Sequence, residues 1–106
     1  MDDFVIRPLD EQRGLRLVGE LDMHSVPVLK AALADLAGAG EAKLDLSGLT
    51  FIDSSGLHAI VEFANGQNGN GPLTLEGVSA LVSRLFEITE LAQHPKLEIR
   101  VAHNGG

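Results

Sequence analysis

The segment that most narrows what this chain can become is Leu44 to Phe63, LDLSGLTFIDSSGLHAIVEF. Leu44 and Leu46 alternate with Asp45 and Ser47, the two-residue period of a strand with one buried face, and a second apolar stretch follows at Leu49, Phe51 and Ile52. After Asp53, Ser54, Ser55 and Gly56, the apolar positions Leu57, Ile60, Val61 and Ala64 recur at helical spacing. An acid–hydroxyl cluster therefore sits where a strand hands over to a helix N-terminus. That end of a helix carries unpaired N–H groups and about half a positive charge, which suits a carboxylate, a hydroxyl cap or a phosphate. A serine there serves as a cap, a nucleophile or a site of phosphorylation, and each makes a different protein.

The rest of the chain supplies the frame. Phe4–Leu9 and Leu15–Val18 read as strands joined through Asp10–Gly14 as a hairpin, and Gly19-Glu20-Leu21-Asp22 closes the second. A helix is expected from Val26 to Ala37, with Val26, Leu29, Leu33 and Leu36 on one face. Ser25 is placed to cap it, Pro27 is tolerated in its first turn, and Gly38 and Gly40 stop it. Ala42–Leu46 is the third strand and Leu57 to about Asn65 the second helix, and Gly66–Pro72 is a loop by composition. Leu73 and Leu75 mark a fourth strand, and Ser79 caps a third helix with Leu81, Val82, Leu85, Ile88 and Leu91 inward. Leu97, Ile99 and Val101 mark a last strand.

The order ββαβαβαβ implies a single α/β domain. Its sheet of about five strands is mixed but mostly parallel, because helices between strands require parallel crossovers. In the later strands Lys43, Asp45, Thr74, Glu76, Lys96, Glu98 and Arg100 alternate with apolar residues, whereas a sheet covered on both faces reads as continuous apolar runs. The helices are thus expected mainly on one face, with much of the other open to solvent or a partner.

Composition removes whole classes of function. The chain has 106 residues, 44% of them hydrophobic, but only four Phe and no Trp or Tyr, so the core must be aliphatic. Fifteen acidic residues against eight basic give a net charge of −7, which opposes binding to nucleic acid or an anionic bilayer. Such charge suits a basic protein surface and also serves solubility alone. Without cysteine there is no disulfide, thiol chemistry or Cys-ligated zinc. The N-terminal MDDFVIRPLDEQ lacks the basic and apolar regions of a signal peptide, and no apolar run approaches bilayer length, so a cytoplasmic location is expected.

The remaining motifs do not make an enzyme. Asp53 as base and Ser54 as nucleophile would need a G-x-S-x-G elbow and an oxyanion hole, and the elbow is missing from the sequence. His24, His58, His94 and His103 are scattered without metal-ligand spacing. The Gly66–Gly71 run is not followed by Gly-Lys-Ser/Thr and precedes a strand, so it is a connector and no phosphate loop. His58 lies one turn beyond Ser54 and level with Glu62 on the second helix, facing solvent.

The quoted pieces resemble a known family. GELD at Gly19–Asp22, the helix after it, LDLSGLTFIDSSGL at Leu44–Leu57 and VSALVSRLFEITEL at Val78–Leu91 are similar, in order, to the STAS domain. Within that family they look most like the bacterial anti-sigma factor antagonists. The resemblance implies one STAS-like domain over residues 1–102 with a frayed tail at 103–106, where family members often continue into another helix. It implies a switch protein with no cofactor of its own. Its unphosphorylated form binds an anti-sigma factor that is a serine kinase, and so frees a sigma factor; a PP2C-type phosphatase resets the system. Carried over by position, Ser54 is the phosphate acceptor, with Asp53 its acidic neighbour and Asp22 near it; the partner surface is expected around Asp22, Asp53, Ser54 and Ser55 and along the exposed face of the second helix at His58 and Glu62. The alternative is an unphosphorylated STAS binding subunit, in a stress-sensing scaffold or a lipid-transport complex.

Overall fold

A computed structural model describes residues 4–10, 13–36, 41–67, 73–80, 84 and 97–99. Two antiparallel strands open the chain, β1 (Phe4–Pro8) and β2 (Gly14–Leu21), in a register running from Phe4 opposite Gly19 to Pro8 opposite Leu15. Helix α1 (Val26–Leu36), strand β3 (Ala42–Ile52), helix α2 (Ser54–Gln67) and strands β4 (Leu73–Glu76) and β5 (Leu97–Ile99) follow. The five strands form one sheet in sequence order, with β2, β3, β4 and β5 mutually parallel. The mixed, mostly parallel α/β sheet expected from the sequence is therefore present.

Both helices belong to one core. Leu29 and Leu33 of α1 and Leu57, Ile60 and Ala64 of α2 are buried in the same cluster as Leu17, Leu21, Leu44, Leu46, Leu73 and Leu75 of the sheet. A Lys30–Glu62 ion pair at 3.3 Å ties the two helices at their surface. The opposite face of the sheet carries charge. Arg7, Arg16, Asp45 and Glu76 stand opposite one another across four strands, and Arg16–Asp45 (3.1 Å) and Lys43–Glu76 (2.7 Å) are ion-paired. Thr74 departs from the expected open face: it is buried, because β4 is an inner strand flanked by β3 and β5.

Strand β3 is longer than its alternation suggests. It pairs with β2 through two bulges, one between the Arg16–Asp45 and Val18–Gly48 pairs and one at Thr50, between the Gly19–Leu49 and Glu20–Phe51 pairs. Each bulge inserts one residue and turns an inward spacing of two into three. Leu44, Leu46, Leu49 and Ile52 thus share the core side of a single strand, and the two apolar stretches of the sequence are one element.

Helix α2 starts three residues earlier than the apolar stripe implies and continues through Gly66 and Gln67, which composition assigns to a loop. The tertiary packing of Leu57, Ile60 and Ala64 carries the helix across Gly66, a weak helix former. The apolar stripe expected for a third helix, Lys96, Arg100, Val101 and the tail at 103–106 lie outside the described residues. Among the described residues no helix is long and apolar enough to cross a membrane.

Candidate functional site

The site forms where β2 and β3 end side by side. Parallel strands deliver their C-terminal ends to one edge of the sheet, the position at which α/β folds gather binding residues. Here the backbone N–H of Asp53 donates to the Leu21 carbonyl at 3.1 Å, joining the turn after β2 to the start of α2. Asp22 and Asp53 are thus the first residues beyond two strands locked together at their ends.

Asp53 is the cap of α2. Its carboxylate Oδ1 accepts the Gly56 N–H at 3.1 Å and its carbonyl accepts the Leu57 N–H at 3.1 Å, the two bonds of a helix N-cap. Neither Ser54 nor Ser55, both candidates for that role from sequence, provides it. Three consecutive residues have capping side chains, and the backbone bond to Leu21 decides among them by fixing Asp53 at the strand end. Ser54 occupies the first helical position, exposed, and its hydroxyl has no hydrogen-bond partner among the described residues. Ser55 beside it is half-buried.

Asp22 organises the second loop. Its Oδ1 accepts the N–H groups of His24 (2.9 Å) and Ser25 (3.1 Å) and the Ser25 hydroxyl (3.2 Å), while its carbonyl accepts from Val26 N–H at 3.0 Å. Desolvation raises the Asp22 pKa, but the hydrogen bonds from Ser25 and His24 and the nearby His24 side chain outweigh it. The carboxyl is held below its ordinary value of 3.8. Ser25 takes a different part from the one its position suggests. Its carbonyl accepts the Leu29 N–H of α1 (3.1 Å), but its buried hydroxyl donates to the Glu20 carbonyl at 2.7 Å. It fastens the turn to the end of β2.

The other candidate residues follow from α2. Ser54, His58 and Glu62 are four residues apart, lie along one line of the helix and are all exposed. Glu62 is the member already engaged, through Lys30, and it also borders a cavity of about 270 Å³ between the helices lined by Leu33, Ala59 and Phe63. Two residues that composition and spacing do not single out join this end of the molecule. Met23, 66% exposed, follows Asp22 directly, and Phe51, 50% exposed, precedes Ser54 by three residues. The signal for Phe51 was the break in alternation after Leu46. No cluster of metal-ligating side chains occurs among the described residues.

A five-stranded, mostly parallel sheet whose β3–α2 junction presents Asp-Ser-Ser-Gly defines a class of domain, and comparison with known proteins identifies it. Residues 5–99 match the family model described as Mlab, STAS domain, and the chain belongs to the STAS domain family. Among curated proteins it is similar to the anti-sigma-B factor antagonist of Bacillus subtilis (strain 168), 37% identical over 79 residues, covering 73% of this chain and 72% of that protein. The anti-sigma-B factor antagonist of Staphylococcus aureus (strain NCTC 8325 / PS 47) is 35% identical over 80 residues, covering 73% and 74%. Among solved structures, an anti-sigma factor antagonist from Mycobacterium paratuberculosis superposes with a TM-score of 0.77 at 19% identity, covering 92% of this chain and 86% of that one. The antagonist SpoIIAA in its unphosphorylated form gives 0.72 at 23% identity, covering 97% and 90%. These last two share the fold.

Proposed function

We propose that this STAS domain is an anti-sigma factor antagonist that works by partner switching. Its unphosphorylated form binds an anti-sigma factor with serine kinase activity and so releases a sigma factor. Phosphorylation of Ser54 breaks that contact, and a PP2C-type phosphatase restores it. Asp22, Asp53, Ser54, Ser55, His58 and Glu62 form the partner surface, and the output of the domain is binding, with no turnover of its own. The similarity to proteins named anti-sigma-B factor antagonists supports the partner class.

The observation that carries the reading is the division of labour at the α2 N-terminus. Asp53 holds the cap, so the exposed Ser54 hydroxyl has no structural duty and is open to a kinase. A phosphate there brings about −1.5 to −2 charges. The helix N-terminus favours it by only about 0.3–1 kcal/mol, and the neighbouring Asp53 carboxylate opposes it, so the fold neither melts nor locks. In a desolvated protein contact the same charge costs several kcal/mol, roughly ten- to thousand-fold in affinity. The modification is therefore felt at the interface.

The test is to incubate the purified protein with ATP, magnesium and lysate of its source organism, then map phosphate by peptide mass spectrometry. Phosphate on Ser54 that disappears in Ser54→Ala is expected, and Ser54→Asp is expected to lose the kinase from its bound fraction. An unlabelled Ser54, beside a control substrate labelled in the same lysate, overturns the switch. That result would favour an unphosphorylated binding subunit, a second reading suggested by the matching family model being described as Mlab, STAS domain.

A further inference from the structure

Strand β3 turns an aromatic ring out of the core immediately before the proposed phosphate acceptor. Without the inserted residue at Thr50, continued pairing with β2 would set Phe51 opposite Leu21, on the core side, and Ile52 on the open side. With it, Phe51 stands opposite Glu20 and is 50% exposed, while Ile52 takes the inward place opposite Leu21. In a chain with four Phe and no Trp or Tyr, this leaves one of its few large apolar rings at the surface.

The bulge is held in place from both sides. Gly19, opposite Leu49, has a φ of 105°, a conformation that favours glycine, and the Thr50 hydroxyl donates to the Gly19 carbonyl at 3.2 Å. Beyond Phe51, the Asp53 N–H bond to Leu21 fixes the strand end from which Ser54 emerges. Phe51 and Ser54 thus leave β3 through one clamped segment. Bulges beside binding sites commonly serve to re-aim a side chain, and half-buried aromatics are the usual anchors of protein interfaces.

We propose that Phe51 is a specificity-determining contact for the protein that phosphorylates Ser54, received in an apolar pocket of that partner, and that Thr50 is the positioning residue that aims it. This rests on the function proposed above and extends it to residues outside the Asp-Ser-Ser-Gly run. The ring supplies area and the chain carries a net charge of −7, so the matching partner surface is an apolar pocket with a basic rim.

The experiment measures Ser54 labelling by the source-organism lysate with ATP and magnesium as a function of antagonist concentration, for wild type, Phe51→Ala, Thr50→Val and Thr50→Ser. Both positions are exposed, and urea denaturation is expected to leave each variant folded. Phe51→Ala is expected to raise the half-saturating concentration about five- to thirty-fold with the maximal rate unchanged. Thr50→Val should move the same way, and Thr50→Ser, which keeps the hydroxyl, should restore the wild-type value. Labelling of Phe51→Ala at the wild-type half-saturating concentration removes the contact while leaving the switch standing. Equal values for Thr50→Val and Thr50→Ser remove the positioning role. An unlabelled wild-type Ser54 removes the switch and this contact with it.

Discussion

Asp53, Ser54 and Ser55 are three residues of similar capping ability, and the structure gives them three different situations. Asp53 bonds the Gly56 N–H and is tied by its own N–H to Leu21; Ser54 is exposed and has no hydrogen-bond partner among the described residues; Ser55 is half-buried. Asp53→Ala is expected to destabilise the fold by about 1 kcal/mol in urea denaturation, the usual loss on removing a cap, and Asp53→Asn to recover most of it. Ser54→Ala, by contrast, should stay within about 0.5 kcal/mol of wild type, as surface changes away from such features do. The sequence placed the cluster at a helix N-terminus correctly. It could not choose the cap, because that choice depends on a backbone bond to a residue 32 positions earlier. Asp22 differs: its Asx-type turn and lowered pKa follow from the His24 and Ser25 N–H groups, two and three residues on, folding back onto it.

At the scale of elements, strands and helices were legible where period and burial coincide. The hairpin, α1, the start of β3 and the core stripe of α2 follow from apolar spacing alone. The second half of β3 does not, because inward spacings of three at Leu46–Leu49 and Leu49–Ile52 match no simple strand period. Only pairing with β2 reveals the bulges. Gly56 shows the same limit. In sequence it is a weak helix former, so alanine should help by about 1 kcal/mol. In the fold a Cβ there meets Leu21 Cγ at 2.7 Å and Ile52 Cγ1 at 3.2 Å, inside the core. Overpacking of that kind costs about 1–3 kcal/mol. Gly56→Ala is therefore expected to destabilise by about 1 kcal/mol net, read from the urea midpoint, where propensity alone predicts the opposite sign.

For the molecule as a whole, the two sheet faces divide the work. One carries both helices and the aliphatic core; the other carries the Arg16–Asp45 and Lys43–Glu76 pairs. Desolvation raises the Asp45 pKa, but the Ser47 and Arg16 hydrogen bonds and the Arg16 charge outweigh it and hold the carboxyl below 3.8. A carboxyl depressed in the folded state stabilises the fold at pH above its unfolded value, and this contribution is lost as pH falls through the folded value. Asp22 behaves in the same way. Stability should therefore be level with respect to these groups at neutral pH and decline as pH drops below about 4. Urea midpoints measured against pH should show that decline, and Asp45→Asn should make it shallower. A double-mutant cycle on the exposed Lys30–Glu62 pair should return a small coupling, about 0.2–1 kcal/mol.

The α/β class, the strand and helix order through α2, the aliphatic core and the location of the Asp-Ser-Ser-Gly run at a strand-to-helix junction can all be read along the chain. All of these depend on local period and composition, which a chain carries without knowing its neighbours. That Asp53 is the cap, that Ser25 fastens the end of β2, that Thr74 is buried and that Phe51 faces outward emerges from the folded molecule. The cap, the burial of Thr74 and the outward Phe51 are set by bonds or register between segments distant in sequence, and the Ser25 bond to Glu20 by how the turn around Asp22 folds back. A single inserted residue in one strand is enough to exchange which side chain is core and which is surface.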